Sequence, residues 1–468
     1  MEVNVNVYHF LTQITPVWGL MLMLMVAIKN IKWSVNVFLG FTLVGLVMSL
    51  SGLIFDLNAD LKISYLLSCL ILFVSLNIQK FSIRYMNGDS AFGKYFIKLA
   101  LLTVSSNAMV LTTSQSLFWL FWTLNGLILA SLMIHKSQWQ AAKTSGIFTA
   151  LTLCLGSGLL ALSFLFPQSP LAPWFLVLAA MCQSAIWPFH RWLLSSLNSP
   201  TPVSALMHAG IVNGGGILLV KYHQLFSQDI SVMIFIFSMG CITALLGGLW
   251  KLIQVDIKKM LANSTMAQMG FMFMQCGMGL FPAAVAHLCW HGLFKAYLFL
   301  NAGSALQSRF EAEQVDCDFK HYLGVVLSTI LALGLFIFTS DLDLSEMNTR
   351  WILLGMVAIT VWQLSKGLVG KNHLFLDMTL VSLFAGIYGL SLRLIESCFH
   401  DDFALPQALH PVFVLGFVFL LALWLLKNSR VFSRLKNSKC GLKAYMCALN
   451  ASQPYTKTMT LIRQTYQI

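Results

Sequence analysis

Residues 181–221 read MCQSAIWPFHRWLLSSLNSPTPVSALMHAGIVNGGGILLVK. The stretch is apolar at both ends, yet between them it carries Pro188, Pro200 and Pro202, the pair His190 and Arg191, a lone His208, and the run Gly214, Gly215 and Gly216. Proline removes a backbone donor and glycine weakens helical order, so this spacing predicts helices that break within an apolar environment. At membrane depth a break is tolerated only where the freed backbone groups meet protein or water. The segment is therefore the first place to look for an ion path.

The chain around it is apolar as well. Of 468 residues 58% are hydrophobic and only 10% are charged, against roughly 25% charged in soluble domains, which is the composition of a polytopic membrane protein. The net charge of +12 would suit a nucleic-acid partner only if the basic residues shared a face. They sit instead in short connections between apolar runs and read as topology signals. The ten Cys lie singly, mostly inside apolar segments and with no CxxC pair, which points to small core residues rather than a disulfide frame or a zinc site. No basic region precedes the first apolar run and no small-residue cleavage signature follows it, so the first helix is expected to be retained.

About fifteen apolar runs of roughly 17 to 24 residues are each long enough to cross a hydrocarbon core. Their centres lie near Met21, Gly45, Leu70, Thr103, Asn125, Gly156, Ala180, Ile211, Gly240, Gly270, Leu293, Leu331, Ala358, Leu383 and Val418. The expected fold is an all-α polytopic membrane protein with helices broken at membrane depth. Alternate loops are basic: Lys29 and Lys32, then Lys80, Arg84 and Lys94, then Lys136 and Lys143, and later Arg191, Lys251, Lys258, Lys259, Arg309, Lys320 and Lys371. The opposite loops hold Asp56 and Asp60, Asp341, Asp343 and Glu346, and Glu396, Asp401 and Asp402. This asymmetry places the N-terminus outside and the C-terminus in the cytoplasm. Residues 1–427 form the transmembrane domain and 428–468 a basic cytoplasmic tail. Its Leu442, Tyr445 and Met446 would let it lie on an anionic leaflet or dock a partner, although a solvated topogenic tail is the plainer reading. No stretch outside the spans is apolar enough to bury a core of its own, so a soluble catalytic head would belong to another chain.

The sharpest constellation is His287-Leu-Cys-Trp-His291-Gly-Leu-Phe-Lys295. Residues four apart share one helix face about 6 Å apart, so His287, His291 and Lys295 form an ionisable stripe through an apolar span. Each His alone could be a satisfied packing residue. Three ionisable groups in register, with a lysine costing about 2.5 to 3.5 kcal/mol to insert at a helix centre, point to a proton relay instead. Two His at i and i+4 can also hold zinc, but the acid of HExxH and a third ligand are missing here. A second polar run, Asp256 to Gly270, opens with a residue suited to a helix N-terminus. Asn263, Ser264, Thr265 and Gln268 then lie at membrane depth, where a wet passage and helix-to-helix hydrogen bonding account for them equally well.

Together PFHRWL, SPTPVSALMHAG, DIKKMLANSTMAQMGFM and AHLCWHGLFKAYLFLNAGS resemble the antiporter-like subunits shared by respiratory complex I and the multisubunit sodium/proton antiporters. The resemblance covers roughly Ala179 to Ser304. Within that superfamily HAGIVNGGG is most similar to the membrane subunits of DAB-type inorganic carbon pumps. The resemblance implies an antiporter-like fold and a soluble partner, DabA, that is similar to a zinc carbonic anhydrase and carries the zinc. It also implies an energy-coupling role, with His208, His287, His291 and Lys295 on the ion pathway. Two departures follow from it. Gln183, in QSAIWP, stands where the family carries Lys, and Thr123, in Trp122-Thr-Leu-Asn-Gly126, stands where complex I subunits carry Glu. The GF-x-S-K segment of the later half is missing too, leaving Lys366 as its ionisable candidate near a cytoplasmic end.

The expected function is that of the membrane subunit of an energy-coupled CO2 or bicarbonate pump, with a cation or proton antiporter subunit, or a complex I type subunit, as the alternative. A redox role is disfavoured because no GxGxxG follows a strand and no Cys cluster is present, so no cofactor is expected. A membrane dock without a path is the remaining class. A path of His and Lys without an intramembrane carboxylate suits protons better than sodium, because it offers poor oxygen ligands.

Overall fold

The computed structural model describes residues 2–27, 30–55, 59–303, 319–368, 374–399, 408–427 and 438–458. Lys29, Asp56, Arg309, Lys371, Asp401 and Asp402, from the topology argument, lie outside the described residues. The same holds for residues 428–437 and 459–468 of the tail.

The described residues are almost all helical. Six long helices come first: α1 (Glu2–Ala27), α2 (Ile31–Phe55), α3 (Ala59–Tyr85), α4 (Phe92–Leu111), α5 (Gln115–Met133) and α6 (Gln140–Leu165). The Pro- and Gly-rich stretch then forms short pieces: α7 (Ala172–Gln183), α8 (Arg191–Leu194), α9 (Thr201–Ala209) and α10 (Gly214–Lys221). Long helices resume with α11 (Ile230–Ile253), α12 (Ile257–Gly277), α13 (Phe281–Leu300), α14 (Phe319–Ser340), α15 (Arg350–Leu368), α16 (Leu374–Glu396) and α17 (Pro411–Lys427). A final helix runs Lys439–Ala451. All fifteen expected centres fall on these elements, the one near Ile211 on the 3-10 link between α9 and α10. Among the described residues nine helices, with α9 and α10 taken as one, are long and apolar enough to cross a membrane. The other runs form shorter or more polar helices.

Large apolar side chains are exposed along the outer helices, for example Val47, Leu151, Leu249, Phe338 and Phe384. That is the surface a lipid solvent leaves uncovered. The Thr201–Lys221 stretch, in contrast, is almost wholly buried inside the bundle. The helices that break are thus the ones shielded from lipid by protein.

The tightest crossing joins α11 to α12. A Cβ on Gly240 would sit 2.7 Å from the Gly270 carbonyl oxygen, one on Gly247 would sit 2.6 Å from the Ala267 nitrogen, and one on Gly277 would sit 2.8 Å from the Met233 carbonyl oxygen. Small residues one heptad apart on both helices let the two backbones touch, the usual packing device where no hydrophobic effect drives association. Asp256 caps α12 as its sequence position suggests, its Oδ1 accepting from the Lys259 N–H at 2.9 Å. Farther along, Asn263 Nδ2 donates to the Lys259 carbonyl at 2.9 Å and Thr265 Oγ1 to the Leu261 carbonyl at 3.0 Å. These side chains turn onto their own helix, a third outcome beside the two weighed from the sequence.

Candidate functional site

The two breaks are stitched to each other. α7 ends at Gln183, and the chain passes through Ala185 in the left-handed region (φ 53°) and a cis Trp187–Pro188 peptide before α8. α9 ends at Ala209 and restarts as α10 only after Ile211–Asn213. Gln183 Nε2 donates to the Ile211 carbonyl at 3.2 Å, and Ser184 Oγ donates to the Val212 carbonyl at 2.6 Å. On the other side of the break Trp192 Nε1 takes the Cys182 carbonyl at 2.9 Å, and the Trp187 N–H donates to Thr243 Oγ1 at 3.1 Å. The freed backbone groups therefore meet protein, as membrane depth requires. The glycine run serves this contact: a Cβ on Gly214 would lie 3.0 Å from Gln183 Cγ.

α13 crosses α9 beside the second break. A Cβ on Gly292 would lie 2.8 Å from the Ala209 carbonyl oxygen, so glycine admits the close approach. This brings His208 of α9 and the stripe of α13 together. The His208 ring stacks on Phe299 with centroids 4.3 Å apart and planes 10° apart. The His287 and His291 rings stand 6.1 Å apart, the spacing that i and i+4 predicts. His208 lies within electrostatic reach of Lys295 and Lys258, and His291 within reach of His208, His287 and Lys295.

Lys295 is only 1% exposed, and its Nζ donates to the Leu261 carbonyl at 3.2 Å. No ion pair with a carboxylate is formed by Lys295 among the described residues. Lys258 continues the line, its Nζ on the Ser199 carbonyl at 3.3 Å. His208 Nδ1, His287 Nε2 and His291 Nε2 are buried and make no hydrogen bond among the described residues. The stripe sets ring nitrogens and one lysine, unpaired with acids among the described residues, along one buried polar axis.

Not every sequence candidate joins it. Thr123 faces α6, donating to the Trp119 carbonyl at 2.8 Å and pairing with Ser157 Oγ. The α5 residue that turns inward is Asn125, whose Oδ1 accepts from Ser105 at 2.5 Å and Ser106 at 3.1 Å. Asn125, Gln183, Asn213, Ser75 and Ser106 line a cavity of about 30 Å³ closed by Leu70, Ile217 and Leu288 among others, room for about one or two waters. Lys366 is exposed in the last turn of α15 and stands apart from these groups. Lys221, which sequence reasoning passed over as a helix end, is inserted between carbonyls. Its Nζ donates to Val110 at 3.2 Å and to Thr112, with the ammonium 5.6 Å from the centre of the Phe118 ring.

Comparison with known proteins bears on the fold and on what the chain is similar to. Residues 166–342 match the family described as NADH:quinone oxidoreductase/Mrp antiporter, TM, and residues 43–96 match that of NADH-Ubiquinone oxidoreductase (complex I), chain 5 N-terminus. Over these residues the chain is similar to antiporter-like membrane subunits, and it is a multi-pass membrane protein. It is also similar to the "Probable inorganic carbon transporter subunit DabB" of Bacillus subtilis, 39% identical over 58% of this chain and 58% of that one. The protein of the same name from Bacillus anthracis is 37% identical over 59% of this chain and 60% of that one. The chloroplastic NAD(P)H-quinone oxidoreductase subunit 5 of Marchantia polymorpha is 34% identical over 54% and 42%. The matches thus span less than two thirds of each relative. Among solved structures, a chain of the Mrp complex from Dietzia sp. DQ12-45-1b matches with a TM-score of 0.53 and 20% identity over 97% of this chain and 52% of that one. The two share the fold.

Proposed function

We propose that this chain is the membrane subunit of an energy-coupled inorganic carbon pump, in which protons entering along His208, His291 and Lys295 drive a soluble, zinc-bearing partner that hydrates CO2 or handles bicarbonate. The observation that carries the path is Lys295, a fully buried ammonium held by one carbonyl and aligned with two buried His. A group so costly to insert is kept where it moves charge. The similarity to DabB subunits supports the substrate class and the partner. The neutral Gln183 and Asn125 on the α7 and α5 side support a path reduced to its α9–α13 half. His287 extends that path toward the N-terminal end of α13, which the loop charges place outside.

The deciding experiment is growth in air of a bacterium lacking carbonic anhydrase, expressing this chain with and without the partner. Rescue that needs both chains and is abolished by Lys295→Ala and by a protonophore is the expected result. Rescue by the pair that survives both treatments would make the chain a membrane dock without a path. An assembled pair that gives no rescue but exchanges cations in vesicles would instead favour the antiporter reading, which rests on the same family resemblance.

A further inference from the structure

The final helix carries a surface that the polar axis leaves unexplained. Residues 452–458, just beyond it, are fastened to one end of the bundle. Gln254 Nε2, after α11, donates to Ser452 Oγ at 2.7 Å, and Lys259 Nζ, in the first turn of α12, donates to Gln453 Oε1 at 3.0 Å. Asn198 Nδ2 donates to the Thr458 carbonyl at 2.8 Å, the Tyr455 N–H reaches Ser195 Oγ at 3.3 Å, and the Tyr455 ring stacks on Phe148 at 5.5 Å. The helix Lys439–Ala451 is thereby held against α11 at the level where the transmembrane helices end.

Its faces divide three ways. At 100° per residue, Gly441 and Ala448 share the side turned to the bundle, and both are partly buried. About a quarter-turn away lie Leu442, Tyr445 and Met446, exposed by 62%, 45% and 49%. Exposed Lys439 and Lys443 flank that stripe on its far side. The same end of α11 exposes Leu249 and Leu252, followed by Val255 at 97%. The end of the bundle where this helix meets α11 thus exposes apolar residues on both, and a pair of lysines rims the helix's own stripe. An apolar stripe, an aromatic residue and flanking lysines at the ends of membrane helices are the features of a helix that lies in a bilayer interface.

We infer that the helix Lys439–Ala451 is an interfacial helix that binds an anionic phospholipid surface, its Leu442–Tyr445–Met446 stripe at the acyl boundary and Lys439 and Lys443 on lipid phosphates. The inference is independent of the transport reading, because it uses no residue of the polar axis.

Amide hydrogen exchange over residues 439–451 of the full chain tests it, in nanodiscs of phosphatidylcholine alone or mixed with phosphatidylglycerol. Exchange should slow on the order of tenfold when the anionic lipid is present. Lys439→Gln with Lys443→Gln should remove that lipid dependence. Leu442→Ser, Tyr445→Ser and Met446→Ser together should leave the helix fast in both discs. Protection of residues 452–458 should persist in every variant, reporting that the tail is still docked. Equal exchange in neutral discs, anionic discs and detergent would overturn the inference, and persistent protection in detergent would assign the stripe to a protein contact. Anionic-lipid dependence that survives the double glutamine variant would also overturn it.

Discussion

Lys295 is a lysine that stability alone would not retain. It is buried with a single carbonyl for a partner, in a position where an ammonium costs about 2.5 to 3.5 kcal/mol. Lys295→Met should therefore leave thermal stability unchanged or raise it by about 1 kcal/mol or more while proton uptake by reconstituted vesicles falls at least about tenfold. A loss of stability alongside the loss of flux would make Lys295 a packing residue. The contrast between Thr123 and Asn125 belongs to the same scale. Asn125→Leu removes the acceptor of Ser105 and leaves Ser106, in the cavity wall, without its partner, and should cost about 1–3 kcal/mol in a thermal melt, with slower flux. Thr123→Val removes only the bonds to the Trp119 carbonyl of its own helix and to Ser157 of α6, and should leave flux within about twofold of wild type, since a partly exposed hydroxyl away from the axis is worth little.

Between elements, the α11–α12 crossing depends on glycine. A Cβ on Gly247 meets backbone atoms of Ala267 and Asn263 at 2.6 and 2.8 Å, and backbone cannot rotate away as a side chain can. Gly247→Ala should destabilise by about 1–3 kcal/mol, measured by melting in nanodiscs, whereas Gly248→Ala, which meets open space, should be neutral. A loop clamp offers a pH test outside the membrane. Asp89 Oδ2 pairs with His135 Nε2 at 3.1 Å, joining the α3–α4 connection to the chain after α5. Partial burial would raise its carboxyl, but the Ala91 N–H and the His135 ring outweigh that and hold it below the usual carboxylate range. A depressed carboxyl stabilises the fold above its unfolded pKa and loses that contribution as pH falls through the folded value. Asp89→Asn should thus cost about 1 kcal/mol or less at neutral pH. Its melting curve should approach that of wild type as pH falls below the ordinary carboxylate value of about 3.9.

For the whole molecule, the described helices place all the acids that form ion pairs in loops or at helix ends and all the axis residues inside, so the membrane interior holds bases without acids. This charge pattern favours entry of an anion or passage of protons over retention of sodium, which needs oxygen ligands. Proton flux in vesicles should accordingly be insensitive to replacing sodium by potassium, and a sodium requirement would remove the proton reading. Tail docking adds a constraint at this scale. Ser452 and Thr458 are buried against helix ends that flank the α7–α9 break, so a partner approaching that face meets the tail first.

Helix number, helix class and the stripe on α13 were legible because each rests on local periodicity: apolar runs of spanning length, and ionisable residues every fourth position. The breaks were legible too, since proline and glycine act through their own backbone. The sequence could not show that Gln183 and Ser184 would satisfy the carbonyls of Ile211 and Val212, nor that Asn125 rather than Thr123 would face inward. In a span apolar on all sides the hydrophobic pattern carries no phase, and only packing against α4 and α6 sets the rotation of α5. Lys221 was hidden for the same reason. A lysine at a helix end reads as an anchor until neighbouring elements close over it. The tail likewise found its place through hydrogen bonds to residues nearly two hundred or more positions away, a separation that local pattern does not reach and that tertiary structure alone decides.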